Sequence, residues 1–314
     1  NFNNKYVKLC RTLNFDSKLS YEDYKTTIYG NLNGDGTTEN LITELTKKDE
    51  GCKGFGGIKG FKGTFDGNEN TIENLYQNVS SGSIALFAST CTIKKLSVMG
   101  NITTSSGSAA GICVSTGSEI YACKNYATVT GTTDVGGVCI SGCTVNNCIN
   151  YGDIIGAKDV GGICATNCTV EGCANYGNIT KTTSYYWYCG VGGICGTFNG
   201  NRAGGNVNIN GCINKGEAGS GIAARAGGGT TNILNCINLS DTSTNGFVGM
   251  FGSQAWTNVM ALNIKNSCNL GKVTNGFIGT YGHIAKSYEL NMENCYTAGI
   301  ASKGIVGTKN ILCI

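Results

Sequence analysis

The sequence predicts an all-β fold, a right-handed parallel β-helix with an irregular N-terminal cap, and three observations carry that prediction. The first is an internal repeat: from Ala110 onward the chain runs AGICVSTGSEIYACKNYATVTGTTD, VGGVCISGCTVNNCINYGDIIGAKD and VGGICATNCTVEGCANYGNITKTTS. Cys113, Cys139 and Cys164 recur at 26 and 25 residues, and Cys123, Cys148 and Cys173 at 25 and 25, the signature of a solenoid. The second is the spacing within one copy. Val160, Ile163, Val170, Cys173 and Ile179 lie 3, 7, 3 and 6 residues apart, which suits short strands joined by corners and neither a helix face nor one long strand. The third is composition, with 49 Gly and no Pro. The pairs Gly136-Gly137, Gly161-Gly162 and Gly192-Gly193, with Gly152, Gly177 and Gly216, sit where corners need positive φ or close backbone approach. At roughly 3.3 Å per residue such a coil wraps once around a narrow core, and coils stack at about 4.8 Å. The right hand follows the general preference of parallel crossovers.

Two columns follow from the register. Cys123, Cys148, Cys173, Cys212, Cys236 and Cys295 form a column of small apolar core residues. Two residues after the first five of these stand Asn125, Asn150, Asn175, Asn214 and Asn238, a stack of amides that can hydrogen-bond from coil to coil at a bend. In one late coil the register slips, leaving Cys268 one residue out of the column of Cys236 and Cys295.

In chain order, residues 1–60 do not repeat and are assigned to the cap, and residues 61–314 to a repeat β-helix of about nine to ten coils. The chain starts at Asn1 rather than Met, which is read as a mature product after loss of a signal peptide, or a segment of something larger. Within the cap, Asn31, Asn33, Asp35 and Glu39 outline a weak calcium loop. Its first position is Asn and its twelfth is Ile42, where such a loop needs a bidentate carboxylate, so a plain Asn-Gly-Asp-Gly turn is the preferred reading. Cys10 with Cys52, and Cys143 with Cys168, are the candidate disulfides of an oxidising compartment.

The segment Phe61-Lys-Gly-Thr-Phe-Asp-Gly-Asn-Glu-Asn-Thr-Ile-Glu-Asn-Leu75 reads as two strands around an Asp-Gly-Asn turn. It resembles the entry motif of bacterial surface proteins with GLUG repeats. The coils Val191-Gly-Gly-Ile-Cys195-Gly, Phe247-Val-Gly-Met-Phe251-Gly and Asn294-Cys-Tyr-Thr-Ala-Gly-Ile300 are similar to the coils of that family. The likeness covers residues 55 to 314 and implies a right-handed β-helix. Cysteine at 113, 139, 164 and 195, and the extra Cys143 and Cys168, depart from the pattern.

Later coils carry inserts, and one of them holds the aromatic cluster Tyr185, Tyr186, Trp187 and Tyr188. It is either a patch for a glycan or protein partner or a loop folded onto the wall. Asn-x-Ser/Thr sequons at Asn78, Asn101, Asn167, Asn178 and Asn238 are compatible with glycosylation. At the far end Ile311, Leu312 and Ile314 close the chain on apolar residues. Together with Tyr6, Val7 and Leu9 they are read as strand edges able to join molecules head to tail.

A net charge of +3 with scattered lysines excludes nucleic acid as a partner, and no apolar run of about 18 residues marks a membrane span. The absence of Cys-x-x-Cys and a single His speak against zinc, and no cofactor is expected. Asp134 and Asp159 share a column, as an acid catalyst would require. Each precedes a Val-Gly-Gly corner beside Lys158, where a turn Asp is ordinary, and neither the arginines nor His283 falls in that column. The expectation is therefore a secreted or cell-surface structural or adhesive solenoid that associates with itself, with other surface proteins or with glycans, rather than an enzyme. The alternative is a polysaccharide lyase or hydrolase on the same scaffold.

Overall fold

The computed structural model describes residues 5–15, 55–182, 190–198, 206–227, 229–241, 244–252, 259–281 and 287–303. These residues form a parallel β-solenoid, and none of them is helical. One sheet stacks ten strands, beginning Tyr6–Lys8, Thr64–Asp66, Thr92–Lys94, Glu119–Tyr121, Thr144–Asn146 and Thr169–Glu171 and ending at Ser287–Glu293. Its strands are mostly three residues long where the repeat is tightest, with the middle residue inward. Phe65, Ile93, Ile120, Val145, Val170, Ile209, Ile233 and Ile264 thus form one column. None is more than 4% exposed, and each such side chain stabilises the stack by about 1.5 to 3 kcal/mol. Sheets of thirteen, six and four strands complete the walls.

The N-terminal end of the core is filled by Phe61, Phe65 and Phe87, with ring centroids 5.1 to 6.4 Å apart. The Asp-Gly-Asn phrase folds as two strands, Thr64–Asp66 and Thr71–Val79, which enter different walls. Of the region assigned to the cap, residues 5–15 and 55–60 are described and join the stack, Ile58 bridging to Phe87. Tyr6–Lys8 pairs with Thr64–Asp66, and Leu13–Asn14 with Ile72–Glu73.

Positive φ is found at the corner before the cysteine column and not at the Gly-Gly pairs. Ala122, Asn147, Gly172, Gly211, Asn235, Asn266 and Asn294 have φ between 50° and 63°, a region Gly and Asn enter most readily. The turn leaves the next amide aimed along the stack, where a sulfur receives it. Cys123 N donates to Cys148 Sγ at 3.4 Å and Cys148 N to Cys173 Sγ at 3.3 Å. Each thiol donates in turn to the carbonyl two residues back, as Cys148 does to Asn146 at 3.4 Å. The column is therefore a hydrogen-bonded one as well as a core one. Where the register slips, Cys268 pairs with Ile237, and Ser267 takes the column position, accepting from Cys236 N at 3.0 Å. Cys295 closes the column half-buried.

The asparagine stack forms and extends to Asn269. Asn125, Asn150, Asn175, Asn214 and Asn238 each donate from Nδ2 to the Oδ1 of the next, Asn269 being the last, at 2.8 to 3.0 Å, and all six are fully buried. These amides lie against the second glycine of each pair. A Cβ on Gly137 would stand 2.7 Å from Asn150 Cγ and 2.0 Å from Gly162 O, and one on Gly162 would stand 2.4 Å from Asn175 Cγ and 2.2 Å from Gly193 O. Close approach, and not backbone conformation, is what selects glycine there.

Candidate functional site

One residue after each ladder asparagine the chain returns to the surface, and its side chains form an exposed row. Met99, Tyr126, Tyr151, Tyr176, Lys215, Leu239 and Leu270 occupy successive rungs. The six apolar or aromatic members are 38% to 44% exposed. Backbone bonds hold each in place, as Tyr151 N to Asn125 O at 2.7 Å and Tyr176 N to Asn150 O at 2.8 Å. The tyrosine rings are stacked, Tyr126 on Tyr151 at 4.7 Å and 7°, Tyr151 on Tyr176 at 5.2 Å and 12°. Both faces of Tyr151 and the inner faces of Tyr126 and Tyr176 are covered by this stacking. Scattered apolar residues are normal on a surface, whereas an aligned row broken only at Lys215 is a candidate interaction surface. Its signal was present in the sequence, as the recurring Asn-Tyr of Asn125-Tyr126, Asn150-Tyr151 and Asn175-Tyr176.

A second feature is a charged cluster on the wall. Lys158 Nζ lies 3.2 Å from Asp134 Oδ1 and 3.7 Å from Asp159 Oδ2. Asp159 is 7% exposed and its Oδ1 accepts from the Thr197 hydroxyl. Burial raises its pKa from the ordinary aspartate value and the Asp134 charge pushes the same way, while Thr197, Lys158 and Arg225 pull it back. Arg225 stands outside the column of these carboxylates and reaches Asp159 from a neighbouring one. Thr197 pairs with Arg225, whose buried guanidinium donates from Nε to Gly252 O at 2.9 Å and acts electrostatically on Asp159. A buried acid with a raised pKa is a proton donor in kind. Here, however, Thr197 and Lys158 occupy both of its oxygens.

The third feature is a set of buried thiols at another corner. Gly142 and Asn167 have φ of 63° and 51°, and Cys143 N donates to Cys168 Sγ at 3.4 Å. Cys139, Cys143 and Cys168 place their sulfurs within 4.8 Å of one another. Cys143 and Cys168, a candidate disulfide pair, stand as free thiols, and so does exposed Cys10.

The remaining predicted positions divide as follows. Cys123, Cys148, Cys173, Cys212 and Cys236 are buried in one column, as expected. Asn78, Asn101, Asn167 and Asn178 are exposed. Asn238 is buried, accepting from Asn214 and donating to Asn269, so no glycan can be attached to it in the fold. Tyr6 is 57% exposed and Val7 packs against the core, while Leu9 belongs to the core at 7%. Cys52, the loop residues Asn31, Asn33, Asp35 and Glu39, the cluster Tyr185, Tyr186, Trp187 and Tyr188, and Ile311, Leu312 and Ile314 lie outside the described residues. No described helix is long and apolar enough to cross a membrane. No family model, curated protein or solved structure matches the chain.

Proposed function

We propose that the chain is a secreted or cell-surface solenoid of the GLUG-repeat kind, with a structural and adhesive role, which binds a protein partner along the tyrosine-led row. The observation that carries this reading is the row itself, from Met99 through Tyr126, Tyr151 and Tyr176 to Leu270, held rigid by the stack beneath it. Surface placement rests on the resemblance of Phe61 to Leu75 and of the later coils. A sugar stacks on a ring face, and both faces of Tyr151 and the inner faces of Tyr126 and Tyr176 are covered by stacking, so the row favours a protein surface over a glycan. Binding of labelled chain to cells of its source, and to glycan arrays, tests the reading. Replacing Tyr126, Tyr151 and Tyr176 together by Ser should abolish cell binding and leave the unfolding transition cooperative. Undiminished binding by that variant would remove the row from the proposal. Head-to-tail assembly belongs to the same reading, because among the described residues Tyr6–Lys8 is paired on one side only.

One observation favours the enzymatic alternative, the raised pKa of Asp159 beside Asp134. Depolymerisation of any polysaccharide, abolished by Asp134→Asn with Asp159→Asn, would replace adhesion with catalysis as the function.

A further inference from the structure

Seven cysteines thread the core beside the six-stranded sheet, in two facing columns. Cys113, Cys139, Cys164 and Cys195 pair rung by rung. Cys91, Cys143 and Cys168 face them from the corner, with Ser118 completing their column, since Cys91 N donates to Ser118 Oγ at 3.3 Å as Cys143 N does to Cys168 Sγ. The columns meet most closely at Cys139, Cys143 and Cys168. Cys139 Sγ is 3.5 Å from Cys168 Sγ, and the three sulfurs lie within 4.8 Å of one another. Two sulfurs 3.5 Å apart fit one pyramidal three-coordinate centre with bonds of about 2.3 Å, a metal–thiolate length.

The chemistry of the occupant follows from number and charge. Structural zinc and iron–sulfur centres take four protein ligands, and zinc on three ligands keeps an open position for water, whereas among the described residues the group holds three thiols, all buried. All three thiols are buried, and the strongest influences on them are one another, the neighbouring Cys164 thiol, burial and backbone, with no Lys, Arg or His among them. A monovalent ion such as Cu(I) on three thiolates would bury net negative charge without a partner, at high cost. A trivalent thiophile on three thiolates is neutral.

We propose that Cys139, Cys143 and Cys168 form a three-coordinate site for a trivalent soft metalloid of the arsenite class, held as a neutral trithiolate in the solenoid core. Three As–O bonds of As(OH)3 are exchanged for three As–S bonds. Each departing hydroxyl takes the proton of one thiol and leaves as water, so nothing is oxidised or reduced. The backbone carbonyls of Ser141 and Thr166, to which Cys143 and Cys168 donate at 3.4 Å, lose those bonds on loading.

The test folds the full-length chain with and without arsenite and follows it by intact mass, by thiol count after unfolding and by thermal unfolding. The site predicts one arsenic per chain, three masked thiols and a raised midpoint, since the ligand binds only the folded state. Cys143→Ser should lose the arsenic and still fold, because Ser118 fills the equivalent place one rung earlier. Cys212→Ser, in the other corner column, should keep it. Failure of the wild type to retain arsenic when folded in its presence overturns the site, as does a Cys143→Ser chain that still masks three thiols. Retention of Cu(I) without arsenite overturns the trivalent assignment.

Discussion

A thiol in the first corner column accepts the corner amide of the rung before it and fills the core behind. Ser267 performs the same task with an oxygen, so Cys148→Ser should cost no more than about 1 kcal/mol, whereas Cys148→Val leaves Cys123 N unpaired and should cost about 1 to 3 kcal/mol. Cys148→Asp buries a charge and should prevent folding. Urea unfolding of the three variants checks the order; a serine more damaging than valine would contradict it. Burial, first among its causes, also raises the Cys148 pKa well above the ordinary thiol value. With a thiol reagent, exposed Cys10 should therefore react at once and Cys148 only on unfolding. Asp159 gives a pH signature. Its folded pKa is raised, so the native state carries no penalty below the ordinary carboxylate range, and the penalty develops as pH rises through it towards the folded value. Asp159→Asn should be more stable than wild type at neutral pH, with the difference fading below about pH 4. Lower stability of the variant at neutral pH would refute the assignment.

At the scale of the element, each coil places an asparagine amide and a glycine against each other across the core, so the two columns stand or fall together. Gly162→Ala would drive a methyl into Gly193 O and Asn175 Cγ, and should cost about 3 kcal/mol by overpacking. Gly56 has nothing within 4 Å of its would-be Cβ and no positive φ. Gly56→Ala should therefore be neutral or stabilising by about 0.4 to 1 kcal/mol. Thermal unfolding of the pair separates close approach from a general requirement for glycine: equal losses in both would show that crowding is not the cause. The strands themselves were legible, because a Thr-Val-x or x-Ile-x triplet between turn residues has only one way to point its middle residue inward.

For the whole molecule, stability is a sum over stacked neighbours, and the ends are where that sum is incomplete. Leu9 N donates to Asp66 O, so by alternation along the strand the Lys8 amide faces away from the stack. Lys8→Pro would remove that outward donor and keep the inward bonds. If molecules add head to tail at this edge, the wild type should show concentration-dependent light scattering and elongated particles in electron micrographs, and Lys8→Pro should suppress both with little change in melting. A wild type that stays monomeric at high concentration ends the filament proposal.

What the sequence by itself determined were the features that repeat along the axis: the all-β solenoid, the cysteine column, the asparagine stack and the slip at Cys268. These are legible because parallel rungs in register put the same offset next to itself, so a column in space is a period in the chain. What only the tertiary structure decided were contacts across a coil, or between coils of unequal length. Asp159 and Arg225 come together although the insert between Cys173 and Cys212 breaks the period. Cys139 meets Cys168 of the next rung across two columns rather than along one. Asn238 carries a sequon and is nevertheless sealed in the core. Periodicity encodes which residues stack, while the direction a side chain takes from its corner is set by the backbone turn, and that turn exists only once the neighbouring coils are in place.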